Sequence, residues 1–363
     1  AVVWIHDYNL WLVPGYLRQM RKDVRIAFFH HTPFPAADVF NVLPWRREIV
    51  ESLLACDEVG FHIPRYAANF VAVAHSLTDA EVIERRRVDA EMIAEGTALT
   101  ERSVPTRMAW KGREVGLRVA PVGVDVDFIE SRAHRAETTA QAAAIREGLG
   151  GAQLILSVGR TDYTKGGVDQ LLSLERVLEA NPALMGKVRL MHVSVSANRN
   201  MTAYEEVQNE IEQTAGRING RFGTLGWQPI ALISRAIPFD ELVAYYRAAD
   251  VAWITPLADG MNLVAKEFVA ARVDGDGVLV LSEFAGAAVE MQEAVITNPF
   301  SHRSMDQAIL TALSMGPGER QGRMQALRAA IARNDIREWA RNVITVPQPG
   351  YSAPQDDPAD RAA

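Results

Sequence analysis

Four polar side chains crowd a stretch that packing alone would fill with apolar ones. They are Asp259, Asn262, Lys266 and Glu267, within LADGMNLVAKEFVAA (residues 257–271). With VAWITP before it, the stretch reads as a buried strand, a Pro-Gly turn and a helix starting near Met261. The first N–H groups of such a helix lack intrahelical acceptors and carry partial positive charge. A phosphate is their natural occupant. Glu267 lies about two turns into the helix, too far along to cap it, and a carboxylate there can accept hydrogen bonds from ribose hydroxyls. Asp259 precedes the helix, where it can cap it or grip sugar hydroxyls. This motif alone leaves open the plainer alternatives of a turn aspartate and a solvated helix glutamate.

A second cluster bears on the same chemistry. SVGRTDYTKGGVDQLL puts Arg160 and Lys165 just after an apolar strand. Two cations across one strand-to-helix loop can converge on one anion, arginine as a planar fork and lysine as a point charge. Either could instead pair with Asp162 or a surface carboxylate. With a helix N-terminus in the same half, a pyrophosphate between the two clusters becomes the favoured reading. The histidines are scattered, with neither an HExxH nor an aspartate-rich pattern, so no metal centre and no other cofactor is expected.

The elements that position these groups follow from an alternation. Short Val-, Ile- and Phe-rich runs alternate with longer helical patterns, the signature of βαβ units and parallel sheets. Strands are expected at 2–6, 25–31, 58–63 and 117–122 in the first half. In the second they are expected at 154–158, 188–195, 230–234, 251–255, 278–282 and 294–297. Helical patterns between them include 167–180, 202–216, 239–249 and 263–271. The Ala-rich, charged stretch 130–151 is the expected boundary. Together these make an α/β protein of two doubly wound domains, with ligands at the carboxyl ends of the strands. EVIERRRVDAEMIAEG, within 80–96, reads as an exposed helix with a solvated charge run. A helix near 321–343 can pack back across the domains, and helix 240–249, with Tyr245 and Tyr246, suits an interface or a core.

Composition bounds the rest. A chain of 363 residues, 48% apolar and 23% charged, can form two cores. The net charge of -7 and the lack of a basic helix with aromatic platforms argue against a nucleic-acid partner. No apolar stretch approaches a membrane span. Cys56 is the single cysteine, which excludes disulfides within one chain and fits a reducing, cytoplasmic compartment. AVVWIHD opens directly as a buried strand, so an upstream segment is expected.

A set of motifs narrows the field. HDYNL, FFHHTPFP, LPWR, GFHIPRYAANF, DYTKG, GRINGRFGTLGW and TPLADGMNLVAKEFVA resemble the trehalose-6-phosphate synthase family of glucosyltransferases (glycosyltransferase family 20) over residues 2–344. The resemblance implies the GT-B architecture, two facing Rossmann-like domains with parallel sheets, the amino-terminal one truncated. It implies an acceptor domain at 1–135, a nucleotide-sugar domain at 150–320, a crossover helix at 321–345 and a disordered tail at 346–363. It also implies transfer of glucose from a nucleotide-sugar to a small phosphorylated acceptor, with retention at the anomeric carbon and no bound catalytic metal.

By the same resemblance, Arg160 and Lys165 match the pair that neutralises the donor diphosphate. Asp259 matches the aspartate that holds glucose hydroxyls, helped by the main chain of Gly260, Met261 and Asn262. Leu263 and Val264 match the amides at the distal phosphate, and Glu267 the ribose ligand. His31 matches the histidine near the reacting sugar. Asp7 matches an acceptor-site carboxylate and Arg199 the arginine near the acceptor phosphate. Without this context His31 reads as a core or strand-end histidine and Asp7 as a cap for the helix after it.

Several motifs depart from trehalose-6-phosphate synthases. GRTDYTKGG stands where they have RLDY.KG, FFHHTPFP carries an extra His30, and VSANRNMTAYEE replaces the P(S/T)R segment. HDYNLWLVPGYLR, HHTPFPAADVFNVLPWR and FHIPRY look more like the glucosylglycerol-phosphate synthase branch. That branch implies glycerol 3-phosphate as acceptor, ADP-glucose or UDP-glucose as donor, and a compatible solute as product. The alternatives are a trehalose-6-phosphate synthase using glucose 6-phosphate and a noncatalytic nucleotide-sugar-binding protein. The sequence is compatible with a homo-oligomer and does not specify one.

Overall fold

The computed structural model describes residues 1–196 and 202–344. Among them, twelve strands form two six-stranded sheets. The first contains β1 (Val2–His6), β2 (Arg25–His30), β3 (Glu58–Phe61), β4 (Glu81–Arg87), β5 (Ser103–Trp110) and β6 (Arg113–Val119), in the order β1-β2-β3-β6-β5-β4. The second contains β7 (Gln153–Thr161), β8 (Val188–Ser196), β9 (Ile230–Ile233), β10 (Val251–Ile254), β11 (Val278–Ser282) and β12 (Val295–Thr297), in the order β12-β11-β10-β7-β8-β9. Every pairing in the second sheet is parallel. Helices cover both faces of such a sheet, so its strands read as unbroken apolar runs. The run VLVLS of β11 is buried at every position.

The first sheet departs from that pattern at one edge. Strands β1, β2, β3 and β6 are parallel, but β5 runs antiparallel to β6 and β4 antiparallel to β5. The hairpin β5–β6 turns at Lys111 and Gly112, both with positive φ, as a tight hairpin turn requires. The exposed helix expected in 80–96 is therefore β4 followed by a short 3-10 turn, Ala90–Met92. Helix-favouring Glu and Arg fill that strand, and its pairing with β5 overrides their local preference. The strand expected at 117–122 is β6, which begins and ends earlier.

The second half follows its pattern closely, with helices Gly167–Ala180 and Leu263–Ala271. The stretch expected as a boundary folds into two helices, Val126–Ala133 and Ala136–Gly148. The single helix expected near 321–343 is two, Pro317–Arg333 and Ile336–Ile344. The second of them returns to the first sheet, where Trp339 packs 5.4 Å from Trp4 and 5.3 Å from Phe29 between ring centres. Tyr246 is fully buried and belongs to the core. The tail expected at 346–363 lies outside the described residues.

Candidate functional site

The carboxyl ends of β2, β7, β8 and β10 meet in a cleft of about 380 Å³, within the range of small-molecule sites. His31 and His62 of the first half line one wall, and Arg160, Lys165, Asp259, Met261, Asn262, Leu263 and Val264 of the second half line the other. Most of the expected donor-side residues thus share one cavity.

The corner after β10 explains how. Asn262 adopts φ 79° and its side chain accepts a hydrogen bond from Ala265 N at 3.0 Å. Asparagine tolerates positive φ and caps helices well, so the helix starts at Leu263, two residues later than expected. Capping by Asn262 frees Asp259 for other contacts. Its Oδ2 accepts from Lys165 Nζ at 2.7 Å and from Asn262 Nδ2 at 3.1 Å. The N–H groups of Leu263 and Val264, the first two of the helix, have no intrahelical acceptor.

Lys165 ends a short 3-10 turn, Tyr163–Lys165, and Gly166 then takes φ 66° to start the next helix. A Cβ on Gly166 would stand 2.7 Å from Thr255 O, so glycine is required twice over. Arg160 is exposed near the end of β7, and it forms no ion pair with a described residue. The two cations therefore differ in the unliganded cleft: Lys165 is engaged with Asp259, whereas Arg160 is uncommitted.

Glu267 lies outside the cavity lining. Its Oε2 accepts from the Tyr246 hydroxyl at 2.9 Å, and burial raises its pKa while that hydrogen bond opposes the shift. The tyrosine fixes one carboxylate oxygen in place.

The opposite wall is histidine-rich. His6 Nδ1 and His31 Nε2 stand 2.9 Å apart in a hydrogen bond between imidazoles. One must donate and the other accept, so a neutral pair satisfies it. Burial lowers the pKa of both, more than Asp7 raises it. His62, 5.3 Å from His31 between ring centres, is pushed well down, chiefly by burial. His30 is buried, donates from Nδ1 to Thr32 O at 2.8 Å, and has its pKa lowered to about 4 by burial.

Asp7 does not cap the following turn. It has φ 65°, and its Oδ1 accepts from His31 N at 3.2 Å and from Thr32 N and Oγ1 at 3.4 Å. A non-glycine residue held at positive φ is strained, and such strain concentrates at functional sites. Asp7 is absent from the cavity lining but braces His31, which is present. Arg199 lies outside the described residues. Among the described residues, no group of three or more His, Cys, Asp or Glu could hold a metal ion.

The two walls meet backbone to backbone at Gly260. A Cβ on Gly260 would lie 1.9 Å from His31 O, so only glycine admits this approach. Beside it, the Tyr66 hydroxyl donates to Asp259 O at 3.1 Å across the cleft. His6, His62 and Tyr66 carry no role in the sequence reading, and Tyr246 only that of an interface or core side chain. His6 and His62 stand inside the motifs HDYNL and GFHIPRY, where an unassigned histidine was the available signal. Tyr66 stands in the same GFHIPRY motif, but no local spacing reveals its partner, 193 residues away.

No helix among the described residues is long and apolar enough to cross a membrane. A family model described as Glycosyltransferase family 20 matches residues 1–346. The chain is 48% identical over 344 residues to a glucosylglycerol-phosphate synthase of Synechocystis sp., covering 95% of this chain and 69% of that protein. It is 39% identical over 347 residues to a trehalose-6-phosphate synthase of Mycobacterium sp., covering 94% and 68%. The fold matches a crystal structure of the UDP-forming trehalose-phosphate synthase of Burkholderia xenovorans in complex with glucose-6-phosphate. That match has a TM-score of 0.85 at 34% identity and covers 94% of this chain and 72% of that one. With the paired sheets, the cleft between them and the motif residues that line it, these likenesses place the chain in glycosyltransferase family 20, an α/β enzyme of the GT-B architecture.

Proposed function

We propose that the protein transfers glucose from ADP-glucose or UDP-glucose to glycerol 3-phosphate, giving glucosylglycerol phosphate. The observation that carries the reading is the Lys165–Asp259 contact of 2.7 Å, which joins a cation for the leaving group to a carboxylate for the sugar. Lys165, Arg160 and the free amides of Leu263 and Val264 receive the donor diphosphate. Asp259, with the main chain of Gly260, Met261 and Asn262, holds the glucose hydroxyls, and Glu267, steadied by Tyr246, holds the ribose. His31 meets the reacting sugar, while Asp7 and Arg199 serve the acceptor.

In this scheme the bond from the anomeric carbon to the diphosphate oxygen breaks as the bond to the acceptor oxygen forms. The acceptor's proton passes to the departing diphosphate oxygen on the same face, so configuration is retained. Negative charge grows on the leaving group, and fixed cations and amide dipoles stabilise it without reorganising. Each such group contributes on the order of a few kcal/mol to lowering the barrier.

The choice of acceptor rests on the greater identity to the glucosylglycerol-phosphate synthase and on the departures in GRTDYTKGG, FFHHTPFP and VSANRNMTAYEE. The same reading makes the protein a cytoplasmic producer of a compatible solute. Nucleotide release is measured with each donor against glycerol 3-phosphate and glucose 6-phosphate. Turnover with glycerol 3-phosphate alone is expected. Turnover with glucose 6-phosphate alone makes the protein a trehalose-6-phosphate synthase, and nucleotide binding without turnover makes it a binding protein.

A further inference from the structure

Lys266 is a charged residue with no exposed surface, next to the proposed ribose ligand. Its Nζ donates to Val122 O at 2.6 Å and forms an ion pair with Glu290, whose side chain is 3% exposed. Glu290 Oε2 accepts from Asn334 Nδ2 at 2.8 Å. These partners lie in three separate places. Val122 belongs to the segment leaving the first sheet after β6, and Asn334 to the break between the last two helices, where the chain returns. Both crossings of the chain between the two halves therefore meet at one buried ion pair.

The crossings also hold each other. Ile336 N donates to Val124 O at 3.1 Å, and a Cβ on Gly123 would stand 2.0 Å from Asn334 O. From the same segment a connection leads into the cleft: Val122 N donates to His62 Nδ1 at 3.4 Å, and His62 neighbours His31. Lys266 thus links the helix that carries the donor-side amides to the wall that carries the histidines.

Stability does not account for this arrangement, because apolar residues of similar volume commonly replace a buried ion pair at no cost. What the cluster adds is direction, because the hydrogen bonds from Lys266 Nζ to Val122 O and from Asn334 Nδ2 to Glu290 Oε2 weaken steeply with angle and distance. We propose that Lys266 and Glu290 form a clasp between the two halves that sets the histidine wall in register with the donor helix, making both positioning residues for glucosyl transfer. The inference rests on the transferase reading above.

The test compares Lys266→Met and the double variant Lys266→Met/Glu290→Leu with the unsubstituted protein. The double variant leaves no unpaired buried charge, so it keeps the test available if the single variant fails to fold. Calorimetry with the nucleoside diphosphate counts binding sites and gives Kd, and kcat is expressed per binding site. Spin labels at Arg87→Cys and Met185→Cys, exposed positions on the two halves, report the distance between them.

Expected are a Kd within about twofold, a kcat per site lower by on the order of tenfold to a hundredfold, and a broadened distance distribution. An intact kcat per site in the folded double variant overturns the proposal. So does loss of nucleotide binding, which would mean that Lys266 only supports its own helix. If the unsubstituted protein binds nucleotide but turns over neither acceptor, the transferase reading fails. The distance distribution then decides the clasp, and an unchanged one overturns it.

Discussion

The two walls of the cleft solve opposite problems. The wall from the second sheet carries formal charge, with Arg160 uncommitted and Lys165 balanced by Asp259. The wall from the first sheet carries imidazoles whose pKa burial lowers, packed at tilted angles among Trp4, Phe29 and Trp339. In the proposed transfer, charge that develops during reaction is therefore answered from one side only. The other side supplies shape, hydrogen bonds and a low-dielectric backing that strengthens every charge interaction facing it.

The sharpest way to break this contrast is to remove a cation. Lys165→Ala or Arg160→Ala is predicted to lower turnover by roughly two to three orders of magnitude, the scale of losing one transition-state donor. Circular dichroism should show the fold retained, because neither side chain is buried. Normal turnover in a folded Arg160→Ala protein would sink the donor assignment. Next in size is Gly260→Ala, which places a methyl 1.9 Å from His31 O. Forced separation of the walls should cost about 1–3 kcal/mol of stability, read from denaturant melts, and at least tenfold in turnover.

A smaller effect should follow from Tyr246→Phe. Removing one hydrogen bond to Glu267 is worth about 1 kcal/mol, so donor KM should rise severalfold with kcat nearly unchanged. If kcat falls instead, Glu267 acts on the reacting centre and not on the ribose.

The last effect acts on stability alone, concerns pH and touches both walls. His30 on one side and His192 beneath the other each have a pKa lowered to about 4 by burial. Each is neutral when folded and takes a proton near pH 6.5 when unfolded. The unfolded state thus binds more protons between these values, and stability falls as pH drops from 6.5 toward 4. The total loss is roughly 3 kcal/mol per histidine below that window. Denaturant midpoints measured from pH 7 to pH 4 should show it, and His192→Gln should flatten the slope.

How much of this was legible in the sequence differs between the walls in the same way. Helix Leu263–Ala271 and helix Gly167–Ala180 follow directly from their apolar periodicity, and the residues they position sit in local motifs. Asn262 as the cap was legible in principle, since asparagine favours that role. The hairpin β4–β5 was not, because EVIERRR has a helix-former's composition and becomes a strand only by pairing with residues farther along. Lys165 with Asp259, 94 residues apart, and Lys266 with Val122, 144 apart, leave no trace in spacing. Periodicity reports which face of an element is buried, and it says nothing about which distant polar atom that face will meet.

The contact at Gly260 has a mechanical meaning. With no room for a methyl between the loop at 260 and His31 O, that point acts as a stop that fixes how near the two walls come. The loop that carries Asp259 and the strand end that carries His31 already stand at their closest approach, so any larger side chain at 260 could only push the two apart.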